Sequence, residues 1–243
     1  MSKRGDDIVR RDFQHGRLAY GFLWNRSSHE RLGNQTGDGA SLWAHLSTIH
    51  SGKIPEKPFT DLFYTRASSL KLKKMSLAGK VHLRKRLERG GSLSCSVDND
   101  IVQKIRKYHR NRSDNSYRAD HGIVPDFLED DPFSVAAEVP VWSDRYKLSG
   151  HIDLIRIVDG TVQVCDYKPG TLDSTSKRFL ESIPQVAAYG EMITHHLAST
   201  LREALEATLL PKVKCCIFDT HSSWHFGAEM FVTLDASGNL SDF

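Results

Sequence analysis

Downstream of Phe133 the apolar positions come in short alternating runs, SVAAEVPVW, KLSGHIDLIRIV and TVQVCDYK, a period-two pattern that predicts three β-strands. Asp159-Gly160 between the last two runs is a strong two-residue hairpin signal, so these strands pair antiparallel. Upstream, the spacing lengthens toward that of a helix. Residues 39–52 predict a helix stopped at Gly52, and residues 66–89 a second, with Leu70, Leu77, Val81 and Leu87 near helical spacing before Gly90-Gly91; residues 99–110 predict a third. After the strands, a helix is predicted from about Pro184 to about Leu205, followed by two strands in KVKCCIFD and AEMFVTLD. The order is α, then βββαββ. It predicts an α/β (α+β) fold with a central mixed sheet flanked by helices, comprising a helical or irregular accessory region at 1–65 and a core at 66–243.

The hairpin fixes a register. If Asp159 and Gly160 form the turn, Val158 faces Thr161 and Asp153 faces Asp166. Alternation then puts Asp153, Ile155, Ile157, Val162, Val164, Asp166 and Lys168 on one face, apolar near the turn and ionisable at the open end. Opposed β-carbons lie about 5 Å apart, where two like charges repel. Two readings are open: Lys168 neutralises one carboxylate while water screens the other, or the pair holds a hard divalent cation whose binding relieves the repulsion. Gln185 and Tyr189, four residues apart, share one helix face that could look at this open end, or could simply pack on the sheet.

Charge sharpens the picture more than composition does. The net charge is only +3, but residues 66–118 carry a large basic excess, closed off by the acidic DFLEDD at 126–131. That stretch, with Lys71, Lys73, Lys74, Arg84, Lys85 and Arg86 at its centre, reads either as a solvated helix face or as a phosphate-binding surface. With 39% apolar and 26% charged residues, the chain is neither disordered nor fibrous, and no apolar run is long enough to span a membrane. MSKRGDDIVRRDF contains no apolar stretch of a secretory leader, so an intracellular protein is expected. The four cysteines are too few for a disulfide framework. Cys215, Cys216, His221 and His225 suggest a zinc module, although adjacent strand residues point to opposite faces.

Three ordered elements resemble motifs of the PD-(D/E)XK nucleases, in particular the RecB-like/Cas4-like branch. Gly150-His151-Ile152-Asp153 is similar to the first carboxylate motif, Asp166-Tyr167-Lys168 to the second with its lysine, and Gln185-Val186-Ala187-Ala188-Tyr189 to the Q-x-x-x-Y helix. Upstream, Gly79-Lys80-Val81-His82 resembles a G-x-x-H helix whose histidine binds metal in that branch. The resemblance implies a restriction-endonuclease-like core and a metal-dependent DNA nuclease, with an exonuclease expected and a site-specific or structure-specific endonuclease as the alternative. It implies that Asp153, Asp166 and His82, with the Tyr167 main-chain carbonyl, hold Mg²⁺ or Mn²⁺. Lys168 would stabilise developing charge, Gln185 and Tyr189 would border the site, and Glu138 on the preceding strand would support it. Many Cas4-like relatives carry a four-cysteine iron–sulfur cluster, but no cysteine precedes His82 and no third lies near Cys215-Cys216, so no cluster is expected. No P-loop occurs, so any unwinding would come from a helicase or repair partner. The competing class is a catalytically silent protein that binds nucleic acid or a partner, a role with no need of the repulsive carboxylate pair.

Overall fold

The predicted hairpin forms the centre of the sheet. In a computed structural model describing residues 7–16, 18–33, 37–73, 76–111, 121–169, 177–204 and 211–240, the strands are β1 (Ile8–His15), β2 (Leu18–Asn25), β3 (Thr65–Arg66), β4 (Leu93–Ser96), β5 (Ser134–Ser143), β6 (Leu148–Val158), β7 (Thr161–Tyr167), β8 (Val213–Phe218) and β9 (Ser223–Gly227). Among the described residues they build one mixed sheet in the order β1-β2-β5-β6-β7-β8-β9-β4, with β3 joining β6. β7 and β8 run parallel and β3 joins β6 in parallel, while the other pairs are antiparallel. The register from Val158/Thr161 to Leu154/Cys165 follows the one set by the Asp159-Gly160 turn, in which both residues take positive φ.

Helices cover both faces: α1 (Arg26–Gly33), α2 (Gly37–His50), α3 (Lys57–Thr60), α4 (Leu77–Arg89), α5 (Asp100–Asn111), α6 (Val124–Asp130), α7 (Lys177–Ala204) and α8 (Met230–Ala236). One core lies under α2, α7 and α8, gathering Ile155, Ile157, Val162 and Val164 from the hairpin. The other lies under α5 and α6 and takes Leu154, Cys165 and Tyr167. The alternation along β6 and β7 thus sends one set of residues to each helical layer. Together the layers make the mixed α/β, restriction-endonuclease-like arrangement expected from the sequence.

The structure corrects several expected elements. Residues 8–25, expected to be helical or irregular, are the β1–β2 hairpin, which extends the main sheet through Leu23/Ala137 and Trp24/Ala136. The helix expected at 66–89 starts only at Leu77, where Ser76 caps it by accepting the Gly79 N–H at 3.1 Å. The preceding stretch pairs as β3 and then makes a 3₁₀ turn at Ala67–Ser69. Leu77 and Val81, which lie near helical spacing with Leu87, are exposed, while Leu83 and Leu87 face the core. α7 begins at Lys177, so Pro184 lies inside it; strong burial of Ile183, Val186 and Ala187 compensates for the lost backbone hydrogen bond. AEMFVTLD forms α8, not a strand: Met230, Phe231 and Leu234 are buried at helical spacing, and the second strand is SWHFG. Lys74 and residues 112–118 of the basic stretch lie outside the described residues.

Candidate active site

β6 and β7 part company after the Leu154/Cys165 pair, while β7 continues alongside β8 to Tyr167/Phe218. At the fork a side chain takes over from the ladder: the Tyr167 N–H donates to Asp153 Oδ2 at 2.9 Å. Asp153 and Asp166 are both buried here, at 8% and 1% exposure. Glu138, on β5, stands opposite Asp153 on β6, because Ala137/Leu154 and Val139/Ile152 flank it in the register. Its φ of 51° is left-handed, a conformation that costs a non-glycine residue about 1 kcal/mol or more. Three carboxylates therefore sit on three successive strands at one level of the sheet.

α7 closes the site from above. Lys168 Nζ lies 2.7 Å from Asp166 Oδ2 and donates to Gln185 Oε1 at 3.3 Å. Gln185 Nε2 donates to Asp166 Oδ1 at 3.3 Å and to the Tyr189 hydroxyl at 3.1 Å. The amide is thus held by its acceptor and its donor at once, and it braces the lysine and the carboxylate against each other. Tyr189 is itself fixed: a β-carbon added at Gly150 would lie 3.2 Å from its Cζ and hydroxyl oxygen and closer still to Cε1. The glycine of the G-x-x-D stretch is therefore what lets the tyrosine of Q-x-x-x-Y lie down on β6. Burial, then the charges of Asp166 and Asp153, push the Tyr189 hydroxyl above its usual pKa against the opposing hydrogen bond from Gln185, so it stays protonated.

Asp153, Asp166, Lys168, Gln185 and Tyr189 are thus brought together, with Glu138 across the strand. His82 is exposed on α4, whose Lys80 pairs with Glu181, one turn before Gln185, at 3.1 Å. Among the described residues no three His, Cys, Asp or Glu side chains converge as a ready-made metal cage. The residues of the expected zinc module point apart. Cys215 turns to the α7 core, where its thiol donates to the Val186 carbonyl, and Cys216 turns to the opposite core beside Cys165. His225 is engaged with Asn99 and Ser223, and His221 is on the surface.

The carboxylates fit a hard divalent cation. They supply anionic oxygens at a fork where the backbone ladder has opened, and Lys168 provides only partial neutralisation. Two neighbours had no role of their own in the sequence reading. Arg66 was seen only as part of a basic stretch; β3 places it beside Ser149, next to Gly150. His151 carries an imidazole pushed down to about 3 by burial, helped by the Arg66 and His15 charges and partly opposed by Asp153. Only the crossing of β3 onto β6 brings Arg66 here, and no local signal marks it.

A model of the PD-(D/E)XK nuclease superfamily matches residues 80–217. This is more than half the chain and includes the fork and α7 as far as Gln185 and Tyr189, so the protein belongs to that superfamily. Membership implies a nucleic-acid substrate and, typically, a divalent metal such as Mg²⁺. A comparison with curated proteins finds no match. No helix among the described residues is long and apolar enough to cross a membrane.

Proposed function

We propose that the chain is a metal-dependent DNA nuclease of the RecB-like/Cas4-like branch, acting as an exonuclease on phosphodiester bonds. The observation that carries this reading is the closed contact set of Asp166, Lys168, Gln185 and Tyr189 beside Asp153. A structural role gains little from two buried carboxylates at a parted strand pair, whereas a phosphodiesterase requires them.

In this reading Asp153 and Asp166 hold Mg²⁺ or Mn²⁺, with His82 and the Tyr167 main-chain carbonyl as further ligands and Glu138 in support. When bound, the ion supplies Lewis-acid polarisation of the phosphate and favours deprotonation of water. Lys168 orients the attacking water and offsets charge that gathers on the phosphate oxygens in the transition state. Gln185 and Tyr189 keep Lys168 and Asp166 in register. Exposed Lys85, Arg86, Lys107 and Arg110 supply sequence-independent contacts to the DNA backbone. The reading includes an intracellular setting, a helicase or repair partner and no iron–sulfur cluster, the last supported by the dispersal of Cys95, Cys165, Cys215 and Cys216 over the surface and two separate cores.

The test incubates end-labelled linear and closed circular DNA with the protein, with EDTA, Mg²⁺ or Mn²⁺, beside Asp166→Ala and Lys168→Ala. Metal-dependent loss of label from linear DNA, abolished by both substitutions, is expected. Cleavage of the circle assigns an endonuclease, and inert wild-type protein in every metal refutes catalysis.

A further inference from the structure

Between α3 and β3 the chain exposes two large apolar side chains to water, Leu62 at 101% and Phe63 at 83%. The loop that carries them is firmly built. The Asp61 N–H donates to the Lys57 carbonyl at 3.0 Å, Asp61 Oδ1 accepts the Phe63 N–H at 2.9 Å, and the Asp61 carbonyl accepts the Tyr64 N–H at 3.1 Å. The Tyr64 hydroxyl is bonded to Asp144, and the Thr65 N–H is tied to the Lys147 carbonyl at 2.8 Å. So much hydrogen bonding behind two wholly solvated apolar groups points to display.

Both ends of the loop lead to the candidate active site. On one side, Phe59 of α3 joins a patch of half-buried rings, 5.7 Å from His151, which in turn is 3.9 Å from Tyr20. Tyr20 stacks on Phe13 at 5.3 Å, and Arg11 lies over the Phe13 ring at 5.7 Å. On the other side, β3 ends in exposed Arg66, beside the strand segment that supports Tyr189. His151 feels the charge of Asp153 and Tyr20 that of Glu138, so the ring patch adjoins the carboxylates.

We infer that Leu62 and Phe63, on the loop that follows Phe59, form together with the Phe59–His151–Tyr20 rings a stacking surface for the bases of an unpaired strand entering the site. This rests on the nuclease reading and says where an unpaired strand would dock beside its site. Base stacking on aromatic faces is independent of sequence, and Arg66 and Arg11 supply the cations a phosphate backbone needs alongside it. A site for an apolar protein partner would need a broad aliphatic patch; here the rings are interleaved with cations and adjoin the carboxylates.

The test measures fluorescence anisotropy in EDTA, without cleavage, using labelled oligothymidine, an abasic oligomer of equal length and a blunt duplex. Phe63→Ala is expected to weaken oligothymidine binding by about tenfold and to leave the abasic oligomer and duplex within about twofold. Phe63→Trp should restore binding, and its indole emission should be quenched by oligothymidine. The inference is overturned if Phe63→Ala binds oligothymidine like wild type, or loses all three probes equally. The two readings fail separately: base-dependent binding without cleavage in Mg²⁺ or Mn²⁺ sinks the catalytic one, while cleavage with unaltered Phe63→Ala binding sinks only the stacking surface. Wild-type protein that binds none of the probes sinks both.

Discussion

Gly150→Ala tests how the two halves of the site depend on each other. The new β-carbon would sit 3.2 Å from Cζ and the hydroxyl oxygen of Tyr189 and nearer still to Cε1. Ordinary carbon contacts lie at about 3.5–4.0 Å, so the ring must retreat by about 1 Å. It has little room, because Tyr189 is only 3% exposed and is packed between α7 and β6. Overpacking of this kind costs about 1–3 kcal/mol. The retreat also stretches the 3.1 Å contact from Gln185 and loosens the amide that braces Asp166 and Lys168. A displacement of about 1 Å at catalytic groups can lower the rate about a hundredfold. The assay is a double-mutant cycle with Tyr189→Leu, reading urea denaturation and metal-dependent cleavage. If the clash is the cause, Gly150→Ala costs less than about 0.5 kcal/mol once the ring is gone. Equal cost in both backgrounds would refute the packing argument and return the glycine to a backbone role.

Two further outcomes bear on the scaffold. Arg156, 2% exposed, is bonded to buried Asp131 at 2.9 Å, and Asp131 also takes Lys104 and Ser134 at 2.6 Å each; Arg156→Met should lower stability by about 3 kcal/mol in urea, and a loss under about 1 kcal/mol would count against a buried ionic network. His29, wholly buried, accepts from the Trp24 indole and contacts the Gly39 carbonyl, and burial holds it down at about 4 against the latter contact. Its folded pKa lies below its unfolded value near 6.5, so its contribution is intact above pH 6.5 and is lost as pH falls toward 4. Removing it in His29→Asn should flatten that acid limb by about 1.4 kcal/mol per pH unit, and an unchanged limb would show that other groups set it.

Much of the site was legible because it is local. A two-residue turn dictates the hairpin register and an i, i+4 pair dictates a helix face, while the resemblance carried by the G-x-x-D, D-x-K and Q-x-x-x-Y stretches named Asp153, Asp166, Lys168, Gln185 and Tyr189 before any contact was known. The errors arose where local signals compete. Leu77 and Val81 match helical spacing but lie on the solvent side, and burial is a property of the whole fold. Met230, Phe231, Val232 and Leu234 suit a strand by residue type, yet the packing of α8 against α7 selects helix. The β1–β2 hairpin was missed because residues 8–25 alternate weakly and their pairing to β5 spans more than a hundred residues.

The sequence by itself determined the hairpin turn with its register and the shared helix face of Gln185 and Tyr189, since these follow from chain geometry over a few residues. Only the tertiary structure decided that Gly150 makes room for Tyr189, that Glu138 lies level with Asp153 and that Arg66 and the Leu62–Phe63 loop stand at the same opening. These neighbours meet through strand pairings and packing between segments far apart in the chain, whose free energy depends on every layer of the fold at once.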